Sequence, residues 1–374
     1  MNELKESSII SAKVGKVLIY ISSFPAGGVP YVYLTLAFEY KKMGMRVVFV
    51  VNDRSGSLLN LVSQSFEVLE LPKIKLRSRV FILRKIIKKE NPDVFLVGSW
   101  PNTLSASISM LGIRLNKGVV LTEHTDFATT PGLTSKDRKL LRFLGPIVYR
   151  RSLKVSCVSE GVAQSLISVA RLKIKPNVIY NPVRFDLCAN DGSSPGFRRT
   201  NNNRFKILAV GNLYLEKGYC YLLSAARILM GQGYDLELRI VGDGPRKSDL
   251  IAKVEDFSLQ GRVTIHSGVT AVDEFYRWAD VFVLSSVNEG FGSVLVEALY
   301  FGKKIVSTDC HSGPREILSD GQYGKLVSVR SAEALAEGIE EAFHSEADTR
   351  ALKKRAADFS PSKIAAQYLG LVSL

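Results

Sequence analysis

The feature that most constrains this chain is a unit that recurs in both halves: an apolar strand, a glycine-bearing loop and a helix. Its clearest copy begins with Asp280-Val281-Phe282-Val283-Leu284, which reads as a buried parallel strand. The loop Asn288-Glu289-Gly290-Phe291-Gly292-Ser293 follows, and Val294–Tyr300 reads as a helix. Gly290 and Gly292 free the backbone to turn tightly and let a ligand approach it. A helix opening near Gly292 aims its unpaired N–H groups and positive dipole end at that loop, which suits phosphate.

The same alternation runs along the chain. In the first half, strands are expected at Lys16–Ile21, Arg46–Val51, Phe66–Leu71, Asp93–Val97, Gly118–Thr122, Leu153–Val158 and Asn177–Tyr180, with helical stretches between most of them. The second half restarts with strands at Phe205–Val210, Leu236–Val241, Val263–His266, Val281–Leu284, Lys304–Ser307 and Lys325–Val327. Short apolar strands alternating with helices predict an α/β chain of two doubly wound, Rossmann-like domains. The expected limits are residues 1–185, a Gly, Ser, Pro and Asn-rich linker over 186–204, a second domain over 205–358, and a final helix over 359–374.

Two carboxylates flank the glycine loop. Glu289 lies on it, and Glu297 lies about a turn and a half into the helix. They would repel a phosphate if they faced it, but they make sense as acceptors for neutral hydroxyls on either side of one. A molecule with hydroxyls flanking a diphosphate is a nucleotide sugar. Neither glutamate is taken as part of the core.

With seven residues between them, Glu289 and Glu297 match the E-x7-E signature of retaining glycosyltransferases of the GT-B fold, family 4. The run from NEGFGSVLVEAL through GKKIVSTDCHSGPREIL resembles bacterial members that build surface polysaccharides. The likeness is close over most of residues 205–345 and looser in the first half. It implies two facing domains with a cleft between them, the nucleotide sugar on the second and the acceptor on the first. It also implies that the final helix crosses back to the first domain.

The resemblance assigns roles to particular residues. Gly211-Asn212-Leu213-Tyr214-Leu215-Glu216-Lys217-Gly218 matches a family loop in which Lys217 points at the diphosphate. Asn212 stands where many members have arginine, which removes one cationic contact. Glu289 would meet the sugar hydroxyls and Glu297 the ribose, with Gly290, Phe291, Gly292 and Ser293 completing donor binding. Gly242-Asp243-Gly244 and the strand end at His266-Ser267-Gly268 would line the base. In the first half, Gly28 of the Gly27-Gly28 loop would approach the donor from across the cleft, and His124 would reach the transferred sugar. His124, Lys217 and Glu289 form the expected catalytic set. Arg138, Arg142 and Lys154 are candidates for an acceptor phosphate, and nothing selects among them.

Composition narrows the alternatives. No D-x-D and no His/Cys cluster with zinc spacing occurs, so no metal and no cofactor beyond the donor substrate is expected. No G-x-G-x-x-G follows the first strand, which argues against a nicotinamide site. Four widely spaced cysteines fit reduced thiols in a cytosolic protein. Met1–Lys13 is polar and reads as neither a signal nor a transit peptide.

Charge is uneven. Residues 1–190 hold 28 Lys+Arg against 13 Asp+Glu, or +15, while residues 191–374 hold 22 against 23, or −1. A basic half suggests an anionic partner. No basic–aromatic nucleic-acid module is present, so an anionic membrane is the expected partner, with the protein peripheral on the inner face of the plasma membrane. The segment Lys73–Lys89 carries eight basic residues and no acidic one. Leu76, Val80, Leu83 and Ile87 fall on one helical face and read as core. Arg77, Arg84, Lys85 and Lys88 form either a solvated face or a headgroup contact.

The expected activity is transfer of a hexose or N-acetylhexosamine from a UDP-sugar to a lipid-linked or oligosaccharide acceptor of a bacterial surface glycan. A GT-B nucleotide-sugar epimerase or synthase, or a non-catalytic basic binding protein, is the alternative.

Overall fold

The computed structural model describes residues 15–25, 27–72, 76–130, 133–150, 153–183, 204–269 and 272–373. The chain divides into two compact units, one of residues 1–183 with 360–374 and one of residues 184–359. Residues 1–13 and 73–75, and all of the expected 186–204 linker except Arg204, lie outside the described residues.

The first unit holds a seven-stranded parallel sheet in the order β3-β2-β1-β4-β5-β6-β7. Its strands are β1 (Lys16–Ile21), β2 (Arg46–Val51), β3 (Glu67–Glu70), β4 (Val94–Gly98), β5 (Gly118–Glu123), β6 (Lys154–Cys157) and β7 (Asn177–Val178). Between them run helices α1 (Gly28–Lys42), α2 (Leu59–Ser65), α3 (Leu76–Glu90), α4 (Asn102–Ser109), α5 (Ser135–Val148) and α6 (Glu160–Ala170). β1, β2 and β4 read as unbroken apolar runs because a parallel sheet is covered on both faces.

The second unit repeats the plan with six parallel strands, β10-β9-β8-β11-β12-β13. They are β8 (Phe205–Val210), β9 (Leu236–Val241), β10 (Val263–His266), β11 (Val281–Leu284), β12 (Lys304–Thr308) and β13 (Lys325–Val327). The helices are α7 (Tyr219–Gly231), α8 (Lys247–Asp256), α9 (Asp273–Trp278), α10 (Ser293–Tyr300), α11 (Pro314–Ile317), α12 (Ala332–His344) and α13 (Thr349–Ala356). One layer of this core joins Ile207, Leu238, Ile240 and Val281 of the sheet to Leu222, Leu229, Leu335 and Ile339 of α7 and α12. Each such side chain contributes about 1.5–3 kcal/mol by leaving water.

A last helix, α14 (Pro361–Ser373), belongs to the first unit. It packs on α1, and its Ile364, Ala365, Tyr368, Leu369 and Val372 join Val32, Tyr33, Leu36 and Tyr40 in one apolar cluster. Strand order in both units turns back beside the first strand, between β1 and β4 and again between β8 and β11.

The basic segment 73–89 behaves only partly as the sequence suggests. Leu83 and Ile87 are fully buried on α3. Arg84, expected on a solvated or headgroup-facing surface, instead donates to the carbonyls of Ser109 (2.9 Å) and Leu111 (2.5 Å). It therefore satisfies carbonyls left open at the end of α4 rather than meeting a partner.

Candidate functional site

At a point where strand order reverses, the loops leaving two adjacent strands diverge and leave a crevice at their carboxyl ends. In the second unit the loop after β8 brings Lys217, and the loop after β11 brings Glu289. Lys217 closes a short 3-10 turn over Leu215–Lys217. Two bonds sew the loops together: Ser285 Oγ donates to the Lys217 carbonyl (2.8 Å), and the Val287 N–H donates to the Glu216 carbonyl (2.7 Å). Gly218 makes this possible. It sits at φ +64°, and a Cβ there would lie 2.1 Å from the Ser285 carbonyl oxygen.

The side chains then meet. Lys217 Nζ donates to Glu289 Oε1 at 2.6 Å, and Ser286 Oγ donates to the same oxygen at 2.7 Å. Glu289 is buried, at 8% exposure, while the Lys217 side chain keeps 24%. Ser312 Oγ pins the backbone by donating to the Glu289 carbonyl at 2.6 Å. Both side-chain bonds fall on Oε1, which leaves Oε2 as the acceptor for a further group. An ammonium has three donors, so Lys217 keeps two beyond its bond to Glu289. The sequence reading gave these two residues separate partners and kept Glu289 out of the core. The structure corrects the second point: Glu289 is buried, and the half-buried Lys217 is its ion-pair partner.

Glu297 is held from a different direction. Tyr276 of α9 donates its hydroxyl to Glu297 Oε2 at 2.7 Å. Tyr276 is itself fully buried and stacks on Phe301, with 5.2 Å between ring centroids and planes 4° apart. The glutamate is therefore a half-buried, oriented side chain rather than a solvated one. Burial pushes its carboxyl up to about 7, reinforced by the Asp273 charge and opposed by the Tyr276 hydroxyl.

Between the two glutamates, Gly292 takes the left-handed conformation (φ +96°), and no side chain caps the start of α10. Ser293 is half-buried as the first residue of that helix. The Phe291 ring turns into the unit against Phe359, 5.6 Å away edge-to-face, so Phe291 offers a ligand only its backbone. Gly290 is half-buried beside it. Two bonds join the loops after β9 and β10, Ser267 Oγ to the Gly242 carbonyl (3.0 Å) and the Gly268 N–H to Asp243 Oδ2 (2.9 Å). Asn212 is exposed.

In the first unit, Gly28 opens α1, and the space where its side chain would stand is clear of other atoms. His124 follows β5 at 9% exposure. Its Nε2 lies 3.5 Å from the Tyr33 hydroxyl, and the Asn181 side chain is a further polar neighbour of the ring. Burial pushes its pKa down to about 3, so the ring is neutral near pH 7. Directly before it, Glu123 is fully buried. It accepts bonds from Tyr149 Oη (2.7 Å), Thr103 Oγ1 (2.7 Å) and the Trp100 N–H (2.9 Å). Burial lifts this carboxyl to about 7 against those three bonds. Sequence reasoning missed Glu123, although a carboxylate ending an apolar strand is a usable signal. Arg138 is committed to the Phe127 and Thr130 carbonyls (2.8 and 3.0 Å), while Arg142 and Lys154 are exposed.

Among the described residues, no group of three or more His, Cys, Asp or Glu could hold a metal ion. No helix among them is long and apolar enough to cross a membrane.

Comparison with known proteins finds matches over both units. The model of "Glycosyl transferases group 1" matches residues 194–359, and that of "Glycosyltransferase Family 4" matches residues 26–187. The chain is 26% identical to the amylovoran biosynthesis glycosyltransferase AmsD of Erwinia amylovora, over 78% of this chain and 81% of that one. It is 25% identical to the N-acetylgalactosamine-N,N'-diacetylbacillosaminyl-diphospho-undecaprenol 4-alpha-N-acetylgalactosaminyltransferase of Campylobacter jejuni, over 95% of this chain and 98% of that one. Among solved structures, Anabaena HepE in complex with UDP superposes with a TM-score of 0.77 at 20% identity, over 96% of this chain and 99% of that one.

Proposed function

The chain belongs to the GT-B glycosyltransferases, its first half to family 4 and its second to group 1, and from that premise we propose that it is a retaining enzyme using a UDP-sugar. The sugar is a hexose or N-acetylhexosamine, and the acceptor is a lipid-linked or oligosaccharide intermediate of a bacterial surface polysaccharide. AmsD, a transferase of amylovoran synthesis, and the Campylobacter enzyme, named for a diphospho-undecaprenol acceptor, support the acceptor class. The UDP complex of HepE supports the donor class. A lipid-linked acceptor puts the work at the inner face of the plasma membrane.

The observation that carries this reading is the pairing of Lys217 with Glu289 where strand order reverses, with Glu297 oriented on the following helix by Tyr276. Lys217 directs its remaining donors at the diphosphate, Glu289 Oε2 accepts from a sugar hydroxyl, and Glu297 accepts from the ribose. Backbone N–H groups around Gly292 and Ser293 add to the diphosphate or sugar contacts. His124, neutral, meets the transferred sugar, and Gly28 lets the donor come close to the backbone; both assignments come from the family.

In the reaction the acceptor oxygen bonds to the anomeric carbon on the face from which the diphosphate leaves. The carbon–oxygen bond to the diphosphate breaks with its electron pair, and the acceptor proton passes to the departing phosphate oxygen. Lys217 stabilises the charge that builds there, with no cofactor and no metal taking part.

The test is a panel of UDP- and GDP-sugars scored by calorimetry and by slow hydrolysis. Micromolar binding of UDP and of one or two UDP-sugars is expected. Absence of binding by every uridine nucleotide would overturn the assignment.

A further inference from the structure

The first unit carries an outward face that its own core does not explain. α5 buries Leu141, Gly145 and Val148, and Gly145 lies so close to α6 that a Cβ there would stand 2.6 Å from Ala170. The opposite face of α5 would ordinarily be polar. Instead it presents Leu140, Phe143 and Ile147, at 42%, 78% and 60% exposure. Their spacing of three and four residues puts them on one stripe.

Exposed Lys136, Lys139 and Arg142 flank the stripe. The helix's one acidic residue, Asp137, is occupied in the capping box with Thr134. Exposed apolar residues also stand on or just after the two helices that precede α5. Leu111, just beyond α4, is 52% exposed, and Phe81 on α3 is 65% exposed beside exposed Lys85 and Lys88.

Single exposed apolar residues are ordinary on protein surfaces. A phenylalanine and two aliphatic side chains in one stripe, rimmed by cations and free of unoccupied carboxylates, form the profile of a helix that lies in a lipid interface. We infer that the outer face of α5, with Phe143 and Ile147 at its centre, docks on an anionic bilayer. Phe143, Ile147 and Leu140 enter the boundary between headgroups and acyl chains, and Lys136, Lys139 and Arg142 meet lipid phosphates. This moves the docking surface from the lysine-rich 73–89 segment to α5. The geometry stands without the proposed reaction, which gives it a purpose by bringing the enzyme to a lipid-linked acceptor.

The test is flotation of the full chain with vesicles of phosphatidylcholine alone or mixed with phosphatidylglycerol, at low and high salt. Binding is expected to the anionic vesicles and to weaken with salt. Phe143→Ser/Ile147→Ser should weaken it at least about tenfold, and Lys136→Glu/Lys139→Glu/Arg142→Glu should abolish it at low salt. All these positions are exposed, so melting temperature and UDP affinity should match the parent, which keeps a failure here distinct from a failure of the donor assignment. A parent that ignores both vesicle types, or binds them equally, overturns the inference. So does parent-like binding by the Phe143/Ile147 variant. Dimers that vanish in that variant without vesicle binding would reassign the face to a second copy of the chain.

Discussion

Lys217 Nζ and Glu289 Oε1 stand 2.6 Å apart although 72 positions separate them in the chain, and each comes from a loop beside the point where strand order reverses. An ammonium already bonded to one carboxylate oxygen does not wander, so its remaining donors are fixed in direction before any ligand arrives. That is the preorganisation an electrostatic catalyst needs. Lys217→Ala should therefore cost transfer about 3 kcal/mol of barrier, or more than a hundredfold in rate. With Lys217 supplying the positive charge, chelation by EDTA should leave transfer intact. Inactivation by EDTA with rescue by manganese would reject this arrangement.

The two glutamates should separate in binding. Glu297→Ala is expected to weaken UDP by about tenfold or more, the loss of one charge-assisted bond to the ribose. Glu289→Ala should leave UDP affinity equal to the parent or tighter, because it releases Lys217 to the diphosphate, while transfer collapses. Calorimetry with UDP beside a transfer assay measures both. Equal losses of UDP in the two variants would show that the roles are misassigned.

Tyr276 moderates the protonation of Glu297 that burial imposes. Its hydroxyl favours the charged carboxylate, so Tyr276→Phe should push the Glu297 pKa further above the value of about 7 that burial already imposes. UDP affinity near pH 7 should then fall by about tenfold and recover as pH rises and the carboxylate is restored. A pH profile of UDP binding that coincides with the parent's would rule this out.

Glu123 makes a separate prediction about stability. Its folded pKa, about 7, lies above the ordinary 4.5, so the folded chain keeps a proton that the unfolded chain releases. Stability should therefore decline as pH rises through that window and level off above it. Glu297 contributes in the same direction. Glu123→Gln keeps the shape without the titration, and melting temperatures between pH 5 and 8 should fall less steeply for the variant than for the parent. Parallel curves would contradict it.

The strands of both sheets were legible because their burial on two faces demands unbroken apolar runs. β1, β2, β8, β9, β10, β11 and β13 match the expected limits residue for residue. The roles around the site were less legible. Nothing local in the sequence couples Lys217 to Glu289 or Tyr276 to Glu297, since those pairings exist only once β8, β11 and α9 are placed beside one another. The docking face was hidden for a related reason. A cluster of lysines such as 73–89 stands out from composition alone, whereas the outward turn of Phe143 depends on which side of α5 packs against α6. Arg84 shows the converse: a cation that looks available in the sequence is spent on the carbonyls of Ser109 and Leu111.

α14 has a consequence for how the molecule comes to exist. Its Ile364, Ala365, Tyr368, Leu369 and Val372 complete a core whose other buried members are all made before Val183. On the ribosome, domains generally fold in the order in which they emerge. Here the first unit reaches the tunnel exit with a side of its core still open, and that side closes only after every residue of the second unit has been synthesised. Until then Tyr33 and Tyr40 lack their covering helix. The part of the chain made first is therefore the part that finishes folding last.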